Sequence, residues 1–425
     1  MRLSVLSTAA VLSMRCFASA LDTILRTDNG TYGPEIEEIH YYYSQWPTGV
    51  AVSSTGRIFT CYVRGGGTSA FTLGQVSNQT AEEAYPSENY SIPVSEVNTT
   101  INGMPFGVAN ASALLSVQAL YITSATATRP ETLWVLDTGR PTIKDASGSL
   151  TMVYGQPGGP KLVAISLTND TVYETYTFPV SCVYPDSYLN DVRFDLRTSV
   201  ASGGRGVAYL VDSSSEGRPG FITLDLSTGT CWRRLDGDVN VLRQDNNLPS
   251  YNGQAFYQRP EGDLPFIHNK EGNNGVSLSV DLDTLYFTTL TGQWLYSIPA
   301  ANLRVRDDVD WAEQAAKNNI STVGQKGGVS NGSEGDSNGL IYMSMPESNA
   351  IYYYDPQDLK VHTLIRDPRL LWVDPLYVAE DGYLYMNVAQ SYWSPRWNNG
   401  EDLRQLPGAL LRTKLPNNGI KMKLD

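Results

Sequence analysis

Thr132-Leu133-Trp134-Val135-Leu136-Asp137 and, 75 residues further on, Val207-Ala208-Tyr209-Leu210-Val211-Asp212 share one pattern: an apolar run with an aromatic in third place and an aspartate at its end. Such runs are too short for a core helix and are bounded by turn residues, so each reads as a buried β-strand. Four more runs of this kind follow the chain: Arg57-Ile58-Phe59-Thr60-Cys61-Tyr62, Thr284-Leu285-Tyr286-Phe287-Thr288, Leu340-Ile341-Tyr342-Met343-Ser344 and Gly382-Tyr383-Leu384-Tyr385-Met386-Asn387. The aromatics at 59, 134, 209, 286, 342 and 385 recur at intervals of 75, 75, 77, 56 and 43 residues. A further strand often follows, as in Lys161 to Leu167, Phe221 to Leu226, Trp294 to Ile298 and Ala350 to Asp355. A period this long means repeated sheets stacked around an axis, whereas paired sandwiches show turn signals about every 8–12 residues and no long period. The expected fold is therefore all-β, a six-bladed β-propeller.

Helical periodicity is nearly confined to Asp310 to Lys317. The last repeat is short. Ala409 to Lys414 must supply its outer strand, and an N-terminal strand, Glu38-Ile39-His40-Tyr41-Tyr42, is the candidate to complete it. The glycine-rich stretches Gly65 to Gly67 and Gly324 to Gly339 read as mobile insertions.

Residues 1–20 carry Arg2, an apolar stretch from Leu3 to Met14 and the small residues Ala18-Ser19-Ala20, which together read as a secretory signal cleaved after Ala20. Residues 21–425 are then a single propeller domain, secreted or luminal, with no membrane insertion after cleavage. Asn-x-Ser/Thr sequons at Asn29, Asn78, Asn89, Asn98, Asn110, Asn169, Asn319 and Asn331 agree with that route. Maturation leaves Cys61, Cys182 and Cys231; Cys182 and Cys231 are expected to pair, and Cys61 to be a buried free thiol inside an apolar run. A net charge of −13 argues against nucleic acid and anionic membranes as partners.

In order along the chain, Trp46-Pro47-Thr48-Gly49-Val50, Leu133-Trp134-Val135-Leu136-Asp137-Thr138-Gly139, Ser187-Tyr188-Leu189-Asn190-Asp191-Val192, Ala208-Tyr209-Leu210-Val211-Asp212-Ser213-Ser214, Leu285-Tyr286-Phe287-Thr288-Thr289-Leu290 and Ser348-Asn349-Ala350-Ile351-Tyr352 resemble segments of the yellow/major royal jelly protein family. The resemblance runs from about Trp46 to Asn387 and implies a six-bladed propeller, in agreement with the repeat count. One departure is Gly327 to Gly339, rich in Gly, Ser and Asn where the family tends to carry an apolar strand. Fungal propellers that the chain resembles act as hetero-Diels–Alderases, joining a tropolone-type quinone methide to a humulene-type sesquiterpene. The resemblance thus implies a cofactor-free pericyclase with small-molecule substrates. Its alternatives within the family are a secreted binding protein without turnover and a quinone tautomerase.

The residue inventory suits chemistry without a metal or a nucleophile. His40, His268 and His362 are not spaced as zinc ligands, and no metal is expected. Gly328-Val329-Ser330-Asn331-Gly332 matches a nucleophile elbow in letters but lies in a glycine-rich stretch without the strand-to-helix turn that motif needs. No glycine loop leads into a helix to seat a nucleotide, so no cofactor is expected. What remains is the central funnel. Inner strands beginning near Trp46, Leu189, Asn273, Gln325 and Trp372 should ring one mouth. Trp46, Asn190, Asn274 and Trp372 are the candidate ligand-binding residues there. Lys326, Arg140 and Asn274 are candidate donors to a substrate oxygen, and Asp191 and Asp374 are candidates to assist loss of water. Asn190, Asp191, Asn274 and Asp374 also offer oxygens to a calcium ion, but capping of inter-blade turns by the two aspartates is the preferred reading.

Overall fold

The six aromatic-centred runs are the second strands of six four-stranded antiparallel sheets: Ile58–Cys61, Thr132–Asp137, Val207–Asp212, Thr284–Thr289, Ile341–Met345 and Tyr383–Val388. Thr132–Asp137 and Val207–Asp212 are buried at every position, because a neighbouring blade covers each face. That is why their apolar runs are unbroken instead of alternating. The computed structural model describes residues 30–425, apart from 65–69, 93–94, 102, 110–111, 145–149, 260–264, 307–308 and 310. The signal, Asn29, Asn110 and the Gly65 to Gly67 stretch lie outside the described residues, as does the side chain of Asn98.

The inner strands Gly49–Val52, Val117–Thr123, Leu189–Asp195, Asn273–Leu278, Ser333–Gly335 and Val373–Val378 each pack on the next, and the sixth packs on the first. The chain is thus a six-bladed β-propeller. Its last blade is closed from the other end of the sequence: Ile36–Tyr42 pairs antiparallel with Gly408–Lys414, as expected from the short final repeat. Helices are short and lie between strands, at Glu88–Ser91, Ala300–Arg304 and Ala312–Asn318.

The aspartates that end two of the repeated runs are architectural. Asp137 accepts the N–H groups of Leu115, Ser116 and Gly139 at 2.6, 2.9 and 2.9 Å. Asp212 likewise accepts those of Tyr188 and Ser214 at 2.9 and 3.0 Å. Each carboxylate therefore fixes the entry to the inner strand of its own blade, which would otherwise leave buried backbone donors unpaired. Cys182 and Cys231 are joined by a disulfide that ties the entry of the third blade to its outer strand Cys231–Arg234, and Cys61 is a buried free thiol.

One expectation is corrected. Gly324 to Gly339 is not an insertion: it holds the end of strand Ser321–Gln325 and all of Ser333–Gly335, the inner strand of blade 5. Its glycines answer to crowding at the axis. A Cβ on Gly332 would stand 2.3 Å from the Asp374 carbonyl oxygen, and one on Gly335 would stand 2.7 Å from Ser277 Oγ.

Candidate functional site at the mouth of the axis

In four inner strands the pairing with the second strand slips near the start, between Val117 and Ala119, Leu189 and Asp191, Asn273 and Val276, and Val373 and Leu376. The unpaired residues include Asn190, Asn274 and Asp374. A β-bulge re-aims the side chain it carries, and here the local sequence makes the slip inexpensive: Pro375 has no N–H to leave unpaired, and Gly275 has no Cβ to clash with Asn331 O, which would stand 2.8 Å away.

All six blades contribute to the cavity so formed. Thr48, Asn190, Asp191, Arg193, Asn274 and Asp374 supply its polar side chains. It has room for only about two water molecules. Asp191 Oδ1 accepts the Val192 N–H at 2.8 Å and Arg193 Nη1 at 2.7 Å. Asp374 Oδ1 accepts Asn331 Nδ2 at 2.5 Å, and Asn190 Nδ2 donates to Ser213 Oγ at 2.8 Å. Among the described residues nothing meets the second oxygen of Asp191 or Asp374, the Asn190 side-chain oxygen, or either end of the Asn274 amide, although Asn274 is only 5% exposed. Burial pushes the Asp374 carboxyl up to about 7 against the opposing pull of Asn331. It raises Asp191 too, with Arg193 acting against it.

Below the mouth the axis is filled. Arg193 Nη2 donates to Ser333 O and lies 3.3 Å from Glu334, and its guanidinium sits 5.3 Å from the centre of the Tyr121 ring. Lys421 donates to Ile122 O and to the Tyr377 hydroxyl, and it stands 4.6 and 4.4 Å from the Tyr121 and Tyr377 ring centres. The C-terminal segment crosses the far end, with Leu196 N–H donating to Leu424 O at 2.6 Å.

Of the residues expected at the mouth, the structure brings together Asn190, Asp191, Asn274 and Asp374, and leaves four outside its lining. Lys326 is fully buried and donates to Gly292 O and to Gly328 O, the latter at 2.9 Å. Arg140 is buried against Val153 O, Asp186 O and Glu216 at 2.9, 2.6 and 2.8 Å. Trp46 packs under the Arg404 guanidinium, 4.7 Å from ring centre to Cζ. Trp372 adopts φ +60°, a strained setting for a bulky residue, and is held by Phe256 and Tyr251 with ring centroids 4.8 and 6.3 Å away. Asn331 is 5% exposed, and its Nδ2, the atom a glycan would take, faces Asp374, which leaves no space for a sugar. Asn78, Asn89, Asn169 and Asn319 are exposed.

Arg193, Glu334 and Lys421 were not anticipated, and Asn331 was anticipated only as a sequon. Arg193 had a readable signal, since it lies two residues from Asp191 on one strand. Lys421 had none, because only the fold carries the C-terminus to the axis.

Lys326 has a consequence for stability. Burial lowers its ammonium to about 7 from an ordinary 10.5. Between those values the unfolded chain binds a proton that the folded chain does not. Stability therefore rises with pH from about 7 to about 10, and none of that gain is present below 7. We expect the difference in unfolding free energy between wild type and Lys326→Met to grow by roughly a few kcal/mol over that range. Urea unfolding at pH 6.5, 8 and 9.5 checks this, and a difference independent of pH would count against it.

A family model described as major royal jelly protein matches residues 121–392. No curated protein matches the chain. Among solved structures, a luciferin-regenerating enzyme is similar at 12% identity, covering 92% of this chain and 100% of that one with a TM-score of 0.45. A calcium-binding protein, regucalcin, from Agrobacterium tumefaciens is similar at 10% identity, with 91% and 96% covered and a TM-score of 0.47. Virginiamycin B lyase from Staphylococcus aureus is similar at 12% identity, with 90% and 99% covered and a TM-score of 0.44.

Proposed function

The chain belongs to the major royal jelly protein family, and from that premise we propose that it is a secreted small-molecule enzyme that seats the oxygenated end of a conjugated substrate at the mouth of its axis. The observation that carries this reading is the Asn274 side chain, on a residue 5% exposed, whose amide has no protein partner among the described residues and opens into a cavity that all six blades share. An amide with no protein partner facing a narrow mouth is free to donate to a ligand oxygen seated there. The disulfide and the exposed sequons support the secretory route.

In its finer form the reaction is the intermolecular hetero-Diels–Alder addition of a tropolone-type quinone methide to a humulene-type sesquiterpene. The cavity has room for a polar head group and not for two hydrocarbon partners, so the partners meet above it. Leu248, Phe266, Leu403 and Leu406 are 47, 64, 38 and 54% exposed on connections that leave the blades at the mouth end, and they supply apolar surface there. Of the three candidate donors, Lys326 and Arg140 are engaged elsewhere. Asn274 is left to polarise the heterodiene oxygen as charge develops. Holding the two partners at attack distance lowers the barrier further without any covalent step.

The test mixes purified protein with the quinone-methide precursor and humulene and compares product yield and stereochemistry with the spontaneous reaction. We expect excess product of one configuration, reduced about 10²-fold in Asn274→Ala. Yield and stereochemistry equal to the spontaneous reaction overturn the cycloaddition. Saturable binding of the tropolone partner without product assigns the protein to binding alone.

A further inference from the structure

We propose that the mouth of the axis is a Ca²⁺ site, with Asp191, Asp374, Asn190 and Asn274 as its ligands. Each of the first three has one polar atom already engaged, so that a single oxygen is left over. Asp191 uses Oδ1 on Arg193 and Val192, Asp374 uses Oδ1 on Asn331, and Asn190 uses its amide nitrogen on Ser213. These bonds set the rotamers and leave two carboxylate oxygens and one amide oxygen free in the same cavity. Asn274 adds a fourth oxygen and is an independent pointer to a ligand, since the residue is 5% exposed and its amide, without a protein partner among the described residues, lines the cavity.

The donor chemistry selects the ion. Four carboxyl and amide oxygens with no imidazole or thiolate among them suit a hard cation. Carboxyl and amide oxygens from three different blades, set around a cavity of about two waters in volume, suit the irregular coordination of Ca²⁺ better than the tight octahedron of Mg²⁺. Affinity is limited by charge. Arg193, 2.7 Å from Asp191 and shared with Glu334, offsets part of the carboxylate charge, so the site belongs with weak extracellular sites of about 10⁻⁴–10⁻³ M. Asn331 is a positioning residue, since it turns the free oxygen of Asp374 toward the mouth.

This site uses the same mouth as the proposed reaction but does not depend on it, because its test uses the metal alone. The chelator-treated full chain is titrated with CaCl₂ by calorimetry, with thermal melts in parallel. One saturable site of about 0.1–1 mM is expected, together with a higher melting temperature at about 10 mM Ca²⁺. Asp374→Asn should weaken binding at least about tenfold and Asn274→Ala severalfold. Glu401→Gln, an equal charge change at an exposed position, should leave it unaltered and so separates the site from diffuse binding to a chain of net charge −13. If Asp374→Asn fails to fold, Asn274→Ala carries the comparison. Absence of a saturable site, or equal affinity in wild type and Asn274→Ala, overturns the proposal. Saturable Ca²⁺ binding in a protein that forms no cycloadduct leaves the site standing and removes only the cycloaddition; product formation without Ca²⁺ binding does the reverse.

Discussion

Arg193→Met is expected to destabilise the propeller by about 3–5 kcal/mol, the cost of removing one partner from a buried charge network. Arg193 is 3% exposed and Glu334 is equally buried, so neither can turn to water when the other is lost. In the native chain one guanidinium answers Asp191 at 2.7 Å and Glu334 at 3.3 Å, and also bonds Ser333 O and Val192 O. Truncation therefore strands two carboxylates and two carbonyls at once. Because the loss is one of compensation and not of intrinsic bond strength, removing the stranded charge should recover part of it. Arg193→Met with Glu334→Gln is expected to be more stable than Arg193→Met alone, a positive coupling of about 1–3 kcal/mol. Urea unfolding of the four members of that cycle measures both quantities. A single-variant cost below about 1 kcal/mol, the range of an exposed pair, would show that the network is dispensable.

Burial explains what could be read in the sequence and what could not. The apolar runs around Trp134 and Tyr209 are set by burial on both faces, a local signal, and so the blade count was legible, as was the closing strand. Asn190, Asp191, Asn274 and Asp374 were legible as mouth residues because polar side chains at the head of an inner strand have few places to go. Lys326 was expected to donate at the mouth because an inner strand was read as starting near Gln325, whereas the fold turns it onto two carbonyls. Gly332 and Gly335 misled for the opposite reason: glycine usually marks a turn, and here it marks the closest approach of neighbouring blades. Asn331 reads as a glycosylation acceptor in letters, and only its contact with Asp374 gives it another role.

Replacing Ile36–Tyr42 with a Gly-Ser segment of equal length is expected to abolish the native fold, the largest effect any short replacement should have. This strand is the outermost of blade 6, yet its two ends belong to different cores. Ile36 packs with Ile351, Leu364 and Leu376 of blades 5 and 6, whereas Tyr42 packs with Phe59, Tyr62 and Leu73 of blade 1. Tyr42 also donates to Asn387 Oδ1 at 2.7 Å, and Asn387 Nδ2 donates to Gly49 O at 3.0 Å, so one hydrogen-bonded chain crosses the seam between the last blade and the first. Outside it, Arg412 holds Glu37 at 2.7 Å, and Tyr41 N–H donates to Gln79 O of blade 1 at 2.8 Å. A ring of blades has no stability at an open seam, because each inner strand is covered only by its neighbours; without the closing strand, Gly408–Lys414 also becomes a free edge able to pair with another chain. The expected product is therefore aggregated, or monomeric without a cooperative melt. Tyr42→Phe grades the same argument, at a cost of about 1–3 kcal/mol for leaving Asn387 Oδ1 buried without its donor. Gel filtration and thermal unfolding of both chains decide the matter, and a monomeric replacement chain that melts cooperatively near the wild-type temperature would mean that blade 6 stands on three strands.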